Sequence, residues 1–301
     1  MLDGILPESL FIIIEKHINK KVLNELRIRA GKPITLFLGG LSYFLGESGL
    51  VSNLSDAIIA TKSMVEDIVF RASECSVYAV NEQIKKGFIV TRGGVRLGLA
   101  GHVVTENGEV RTITDFSSVN IRVPHEIKNC SLSAFDHILT ESGIKNTLII
   151  SPPGCGKTTF IRDFVYQLSH KNYSYNVLVL DERGELNIND SLGHFSDVLM
   201  FIGKRAGFEN GIRAMSPHII VTDELGGEED SEAVAYAANS GVKVLATAHA
   251  SNLDDLLKKD VFKKLIKDKS FDRYVVLSSR SGPGTFEGIY NENLSRITRF
   301  S

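Results

Sequence analysis

The chain has 301 residues, 43% hydrophobic and 23% charged, with 34 lysines and arginines against 36 acidic residues and a formal net charge of -2. Such a chain is long enough for about two domains with a well-buried core, and its balance excludes a disordered chain, a collagen and a peptide toxin. A net charge near zero supplies no overall field to hold nucleic acid without sequence preference, so such a role would rest on a local basic patch.

The longest early apolar stretch, Leu10 to Ile14, ends at Glu15 and Lys16, far short of the ~20 apolar residues of a membrane span. Asp3 and Glu8 stand where a secretory leader carries basic residues, so the expectation is a cytoplasmic chain. Cys75, Cys130 and Cys155 are widely spaced and never form a Cys-x-x-Cys pair. Neither a disulfide framework nor a zinc site is expected.

Residues 1–128 read as a smaller domain of mixed α+β character, from the frequent change of hydrophobic period and the glycine punctuation. Ser63 followed by Glu66 is a capping-box pattern, and Val65, Ile68, Val69 and Ala72 then fall on one helical face. Phe88 to Arg92, a Gly93-Gly94 turn, and Val95, Leu97 and Leu99 alternating with Arg96 and Gly98 predict a hairpin. Asn107-Gly108 marks a further turn before Val110 to Ile113. Pro124, just after the alternating run Val119 to Val123, ends the sheet and opens a linker.

Over residues 129–301 the order becomes strand, helix, strand, helix. Leu148 to Ile150, Val177 to Leu180, Ile219 to Val221 and Val242 to Ala248 are short and almost continuously apolar, as strands buried on both faces of a parallel sheet are. Phe160, Ile161, Phe164, Val165 and Leu168 form a helical stripe behind the first strand, and Glu232 to Asn239 form an Ala-rich helix closed by Ser240-Gly241. The fold class is therefore α/β, a nucleotide-binding core. Ser251 and Asp254 can cap a helix through Leu256, Leu257, Val261, Phe262, Leu265 and Ile266. Its lysine-rich opposite face is diluted by Asp255, Asp260 and Asp268 and reads as solvated. Arg273 to Leu277, the turn Ser281-Gly282-Pro283-Gly284 and Phe286 to Tyr290 read as a terminal hairpin.

The first of these strands runs into Ser151-Pro152-Pro153-Gly154-Cys155-Gly156-Lys157-Thr158-Thr159, with a helix behind it. That is the context of a phosphate-binding loop. Glycines let successive backbone N–H groups turn inward, and the helix N-terminus adds its dipole. Lys157 is then aimed at the β- and γ-phosphates, the Thr158 hydroxyl at Mg²⁺, and Thr159 lies near the α-phosphate. Ser151 stands where the usual first glycine would be. Asp223-Glu224 end the run His218 to Thr222, on a strand expected beside that of the phosphate loop. Asp223 suits the metal shell and Glu224 the attacking water. Asp181-Glu182-Arg183-Gly184-Glu185 caps the strand Val177 to Leu180 and should open on the same crevice. Thr247 and His249 end the strand from Val242, where a polar side chain would feel a γ-phosphate.

Taken in this order, the phosphate loop, the acidic box, Arg213 through Glu224, and Ser240 through Ala250 resemble the ATPases of type II and type IV secretion systems. Tyr78 to Glu82, Gly87-Phe88 and Gly93 to Gly101 in the first domain resemble the stage III sporulation protein AA family of spore-forming bacteria. The resemblance implies a RecA-like P-loop core and an ATPase using ATP and Mg²⁺. It further implies a hexameric homo-oligomer, peripheral to the membrane through a channel protein of the sporulation apparatus between mother cell and forespore. In such relatives the acidic box supplies a catalytic glutamate, which maps to Glu182; the second glutamate maps to Glu224 and the histidine box to His249. Which of Glu182 and Glu224 orients the water stays open. An arginine often crosses the subunit boundary in these ATPases. The candidates are Arg92, Arg96, Arg122, Arg183, Arg205 and Arg213, with Arg213 favoured by its place in the motif. The chain departs from the pattern at Asp223, where many have glycine, and at His218, where aspartate commonly follows the proline. No DNA partner is expected. The alternatives are a nucleic-acid-stimulated RecA-like ATPase, which the charge disfavours, and a nucleotide-gated scaffold with little turnover, which Glu182 and Glu224 disfavour.

Overall fold

The computed structural model describes residues 2–91, 93–125, 127–171, 173–186 and 192–297. Arg92, one of the candidate arginines, lies outside the described residues. The chain divides into two compact units, Met1–His125 and Glu126–Ser301.

The first unit contains helices α1 (Glu8–His17), α2 (Lys62–Ala72) and α3 (Asn81–Lys85). Its strands are β1 (Leu23–Arg29), β2 (Thr35–Leu38), β3 (Leu41–Gly46), β4 (Gly49–Val51), β5 (Phe88–Val90), β6 (Arg96–Glu106) and β7 (Glu109–Arg122). They form one antiparallel sheet in the order β4-β3-β2-β1-β7-β6-β5. The period of two decides the faces. Leu26 and Ile28, Leu97, and Val119 and Ile121 are buried with Leu10 and Ile14 of α1 and Val65, Ile68 and Val69 of α2. The cap of α2 is Thr61, which has extended backbone and accepts the Met64 N–H at 3.1 Å. Ser63 therefore lies within the first turn and not at the cap the sequence assigns it.

The second unit contains α4 (Leu132–Ile138), α5 (Lys157–His170), α6 (Lys204–Met215), α7 (Glu228–Asn239), α8 (Leu253–Leu256) and α9 (Asp260–Lys267). A minor hairpin pairs β8 (Leu139–Thr140) with β9 (Gly143–Ile144). The main strands are β10 (Thr147–Ser151), β11 (Val177–Asp181), β12 (Ser196–Met200), β13 (Ile219–Leu225), β14 (Lys243–His249), β15 (Arg273–Ser278) and β16 (Thr285–Asn291). Their order is β12-β11-β13-β14-β10-β15-β16. Every pair is parallel except the last. Leu148 and Ile150 of β10 pack in a cluster with Phe208, Val234 and Phe262 of α6, α7 and α9, while Ile149 packs with Phe135 of α4 and Ile161 and Phe164 of α5. Burial on both faces explains the unbroken apolar runs.

Two sequence expectations need correction here. The strand carrying Asp223-Glu224 is not beside the phosphate-loop strand: β14 lies between β13 and β10. The single helix expected after Ser251 is two, α8 and α9, because the backbone turns out of helix before Lys259, whose extended conformation starts α9. The cap of α8 is Asn252, accepting the Asp255 N–H at 2.8 Å. Among the described residues no helix is long and apolar enough to cross a membrane.

Close backbone approach explains one residue of the glycine-rich hairpin. The β6–β7 register slips between Ala100 and His102, and a Cβ on Gly101 would stand 2.5 Å from the Thr114 carbonyl oxygen. Backbone cannot move aside as a side chain can, so Gly101→Ala is expected to cost about 2 kcal/mol or more. The measurement is the urea midpoint of the full chain, which should fall.

Candidate nucleotide site

The glycine-rich loop leaves β10 at the fully buried Ser151 and enters α5 at Lys157. Gly154 and Gly156 take positive φ of 72° and 82°, which glycine adopts without steric cost. Gly156 is also pressed by the β15–β16 turn: a Cβ there would lie 3.2 Å from the backbone of Gly284, whose N–H donates to the Cys155 carbonyl at 3.1 Å.

Lys157 is 6% exposed. Its ammonium donates to the Ser151 carbonyl at 3.0 Å, the Pro152 carbonyl at 3.1 Å and His249 Nδ1 at 2.9 Å. Because an ammonium can only donate, Nδ1 is the bare nitrogen and Nε2 carries the proton. Nε2 lies 3.0 Å from Glu224 Oε1. Arg183 forms an ion pair with the other oxygen, Oε2. Burial pushes the Lys157 ammonium below its ordinary value, opposed by the carboxylates of Glu224 and Asp223. Burial, then the charge of Lys157, push the His249 imidazole down as well.

Glu224 reaches this position through a bulge. The β13–β14 register shifts between Thr222 and Leu225, and Glu224 takes a φ of 48°. A left-handed glutamate costs about 1 kcal/mol or more; the Thr247 hydroxyl, accepting the Glu224 N–H at 2.8 Å, helps hold it. Asp223 beside it is 4% exposed, and its carboxyl is pushed up to about 6 by burial, then by Glu185 and Asp181. The fully buried Asp181 carboxylate accepts the N–H groups of Glu185 at 2.8 Å and Leu186 at 3.0 Å, which folds the acidic turn toward the loop.

These groups line a cleft of about 440 Å³ at the carboxyl ends of the strands. Its lining includes Lys157, Thr158, Thr159, Asp223, Glu224, Thr247 and His249, together with Ile127, Cys130, Pro153, Pro283 and Gly284.

The sequence pattern of the family "Sporulation stage III, protein AA" matches residues 3–297. The chain belongs to this family. Stage III sporulation protein AA of Bacillus subtilis (strain 168) is 36% identical over 310 aligned positions, covering 98% of this chain and 96% of that protein. Among solved structures, the pilus retraction motor PilT with bound ADP aligns with a TM-score of 0.62 at 15% identity, over 90% of this chain and 78% of that one. The Legionella pneumophila ATPase DotB aligns with a TM-score of 0.59 at 14% identity, over 90% and 77%. The fold is therefore the RecA-like α/β architecture of the secretion ATPases.

Within this family member, the cleft brings together Gly154, Gly156, Lys157, Thr158, Thr159, Asp223, Glu224, Thr247 and His249. It does not line itself with every residue the sequence points to. Ser151 and Cys155 are buried beneath the loop, and the Pro152 carbonyl faces Lys157. Glu182 instead holds Lys204, at 2.7 Å. Arg213 is exposed in the last turn of α6; Arg205 pairs with Glu209 and Glu232. In the first unit Arg96 stacks over Phe88 and Arg122 lies 3.9 Å from Glu25. His218 accepts the Asn176 N–H at 2.9 Å, a structural bond below the sheet. Arg183 and Glu185 of the acidic box line the cleft, as the sequence places that box on the crevice. Sequence reasoning passed over Ile127, Cys130, Phe160, Pro283 and Gly284 as cleft residues, and no local signal marks them.

The raised carboxyl of Asp223 has a consequence for stability. Its folded value of about 6 exceeds the ordinary 3.8, so the folded state binds the proton more tightly and stability falls as pH rises between about 4 and about 6. Asp223→Asn, which cannot ionise, is expected to melt several degrees above the wild type at neutral pH and to match it near pH 4. Thermal unfolding across pH measures this.

Proposed function

We propose that the chain is a Mg²⁺-dependent ATP hydrolase that powers or assembles a transport channel between mother cell and forespore during sporulation. The observation carrying this reading is the hydrogen-bonded run Lys157–His249–Glu224 in a single cleft, which ties the phosphate-holding cation to a carboxylate suited to the attacking water. Lys157 exchanges two loop carbonyls and an imidazole for phosphate oxygens when nucleotide binds, and the loop N–H groups supply the remaining donors. His249 holds Glu224 through Nε2–H and senses, through Nδ1, where Lys157 has gone. Glu224 then accepts a hydrogen bond from water and aligns it. Glu182, held by Lys204, serves the acidic turn.

Thr158 and Asp223 are hard oxygen donors on one cleft and fit Mg²⁺. The bound ion supplies neutralisation of charge on the β- and γ-phosphates. The membership of the sporulation family supports the cellular setting: a cytoplasmic protein, peripheral to the membrane through an embedded channel protein. We read the working assembly as a hexameric homo-oligomer in which Arg213, exposed on α6, reaches the neighbouring subunit's nucleotide.

Phosphate release by purified protein tests the reading. Lys157→Ala should show none above background, whereas Glu224→Gln should keep nucleotide bound while turnover falls ~100-fold or more. Glu182→Gln should stay within about threefold of wild type. Normal release from Lys157→Ala would overturn the site, and a dead Glu182→Gln beside an active Glu224→Gln would reverse the two roles.

The assembly has its own measurement. The rate per subunit should rise with protein concentration, and mixing Arg213→Ala with Glu224→Gln subunits should restore part of the activity at shared sites. A rate independent of concentration, from a strict monomer, would refute the ring.

A further inference from the structure

We propose that Arg183 acts within its own subunit as a terminal-phosphate ligand, held on Glu224 until nucleotide arrives and transferred to the γ-phosphate of ATP when it does. The inference rests on the ATPase reading and adds to it a residue that reads the difference between ATP and ADP. Arg183 lies in the acidic turn, whose backbone is anchored by the two N–H bonds to buried Asp181 and by the Phe201 N–H on the Asp181 carbonyl at 3.0 Å. The base of the side chain is thus fixed in the turn, while the side chain remains 51% exposed and Arg183 lines the same cleft as Lys157 and Thr158.

In this structure both oxygens of Glu224 are engaged, Oε1 by His249 Nε2 and Oε2 by Arg183. A carboxylate held on both sides is badly placed to take up and align a water. Removing Arg183 from Oε2 would release one oxygen for that task. The exchange is energetically open because a half-exposed ion pair contributes about 1 kcal/mol or less. A terminal phosphoryl group carries more charge than a carboxylate and accepts two parallel N–H bonds from a guanidinium. Only ATP offers that group. ADP leaves Arg183 where it is, so the carboxylate is released when substrate is present and reclaimed after phosphate leaves.

The experiment is calorimetric titration of the full chain, in the presence of Mg²⁺, with ADP and with the β,γ-imido analogue of ATP. Arg183→Ala should weaken the analogue at least ~10-fold and change ADP less than ~2-fold. Arg183→Lys, which keeps the charge but not the paired donors, should recover part of the loss. Glu224→Gln, which releases Arg183 from its ion pair, should tighten the analogue more than ADP, and Arg183→Ala added to it should abolish that gain. Equal effects on the two ligands, or none, would overturn the proposal by reducing Arg183 to a tether for Glu224. If Arg183→Ala lowers the melting midpoint, Arg183→Gln carries the same comparison, with the same loss expected and the same equality overturning it. A wild-type chain that binds neither ligand would overturn the ATPase reading itself, and this proposal with it.

Discussion

Burying an ammonium group without acceptors to match would destabilise the fold by several kcal/mol, and the second unit is arranged around avoiding that cost at Lys157. The Ser151 and Pro152 carbonyls must both turn toward Nζ, which curls the chain between β10 and α5 into a loop. His249 must present a bare Nδ1, which puts its proton on Nε2 and aims that proton at Glu224. One buried charge therefore sets the curvature of the loop, the tautomer of the imidazole and the partner of the carboxylate. Arg183 completes the set on the far oxygen.

That arrangement depends on the strand order. Because β14 is inserted between β10 and β13, His249 at its end stands between the phosphate loop and Glu224, within hydrogen-bond reach of both. Had β13 been adjacent to β10, the carboxylate would stand at the loop directly and the histidine would lie beyond it. The same insertion makes the bulge at Thr222 to Leu225 useful: the extra residue swings Glu224 over the end of β14, and Thr247 of that strand takes its N–H. On the other side of β10, the β15–β16 turn closes on Cys155 and Gly156. The phosphate loop is braced from both neighbouring strands.

Negative charge is concentrated on the remaining wall. Asp181 spends its carboxylate on backbone N–H groups, so its contribution is to shape the turn, while Asp223 stays buried beside it with a raised pKa. For Asp223, burial and the repulsion of Glu185 and Asp181 outweigh the opposing charges of Lys204 and Arg183. A buried carboxylate with a raised pKa in this cleft is suited to a divalent cation, because a cation relieves both penalties.

Features encoded in contiguous residues were legible in the sequence. The α/β class followed from apolar runs separated by helical stripes, and the tight turn between β10 and α5 from glycines whose positive φ is a property of the backbone itself. The resemblance to a family rests on the same kind of local pattern. What depends on residues distant in sequence was not legible. The place of β14 between β13 and β10 is a pairing choice among similar apolar strands, and it alone brings His249 to Lys157. Ser281 to Gly284 reads only as a turn, and nothing near it says that the turn presses on Gly156. Within Asp181 to Glu185 the residue types foretold an acidic box, but which side chains reach the cleft depends on how Asp181 folds the turn: Arg183 and Glu185 line it, and Glu182 pairs with Lys204. Local sequence determined the conformations that single segments can adopt; the tertiary structure decided which charges face one another, because Coulomb and desolvation energies depend on distances through space and not on separation along the chain.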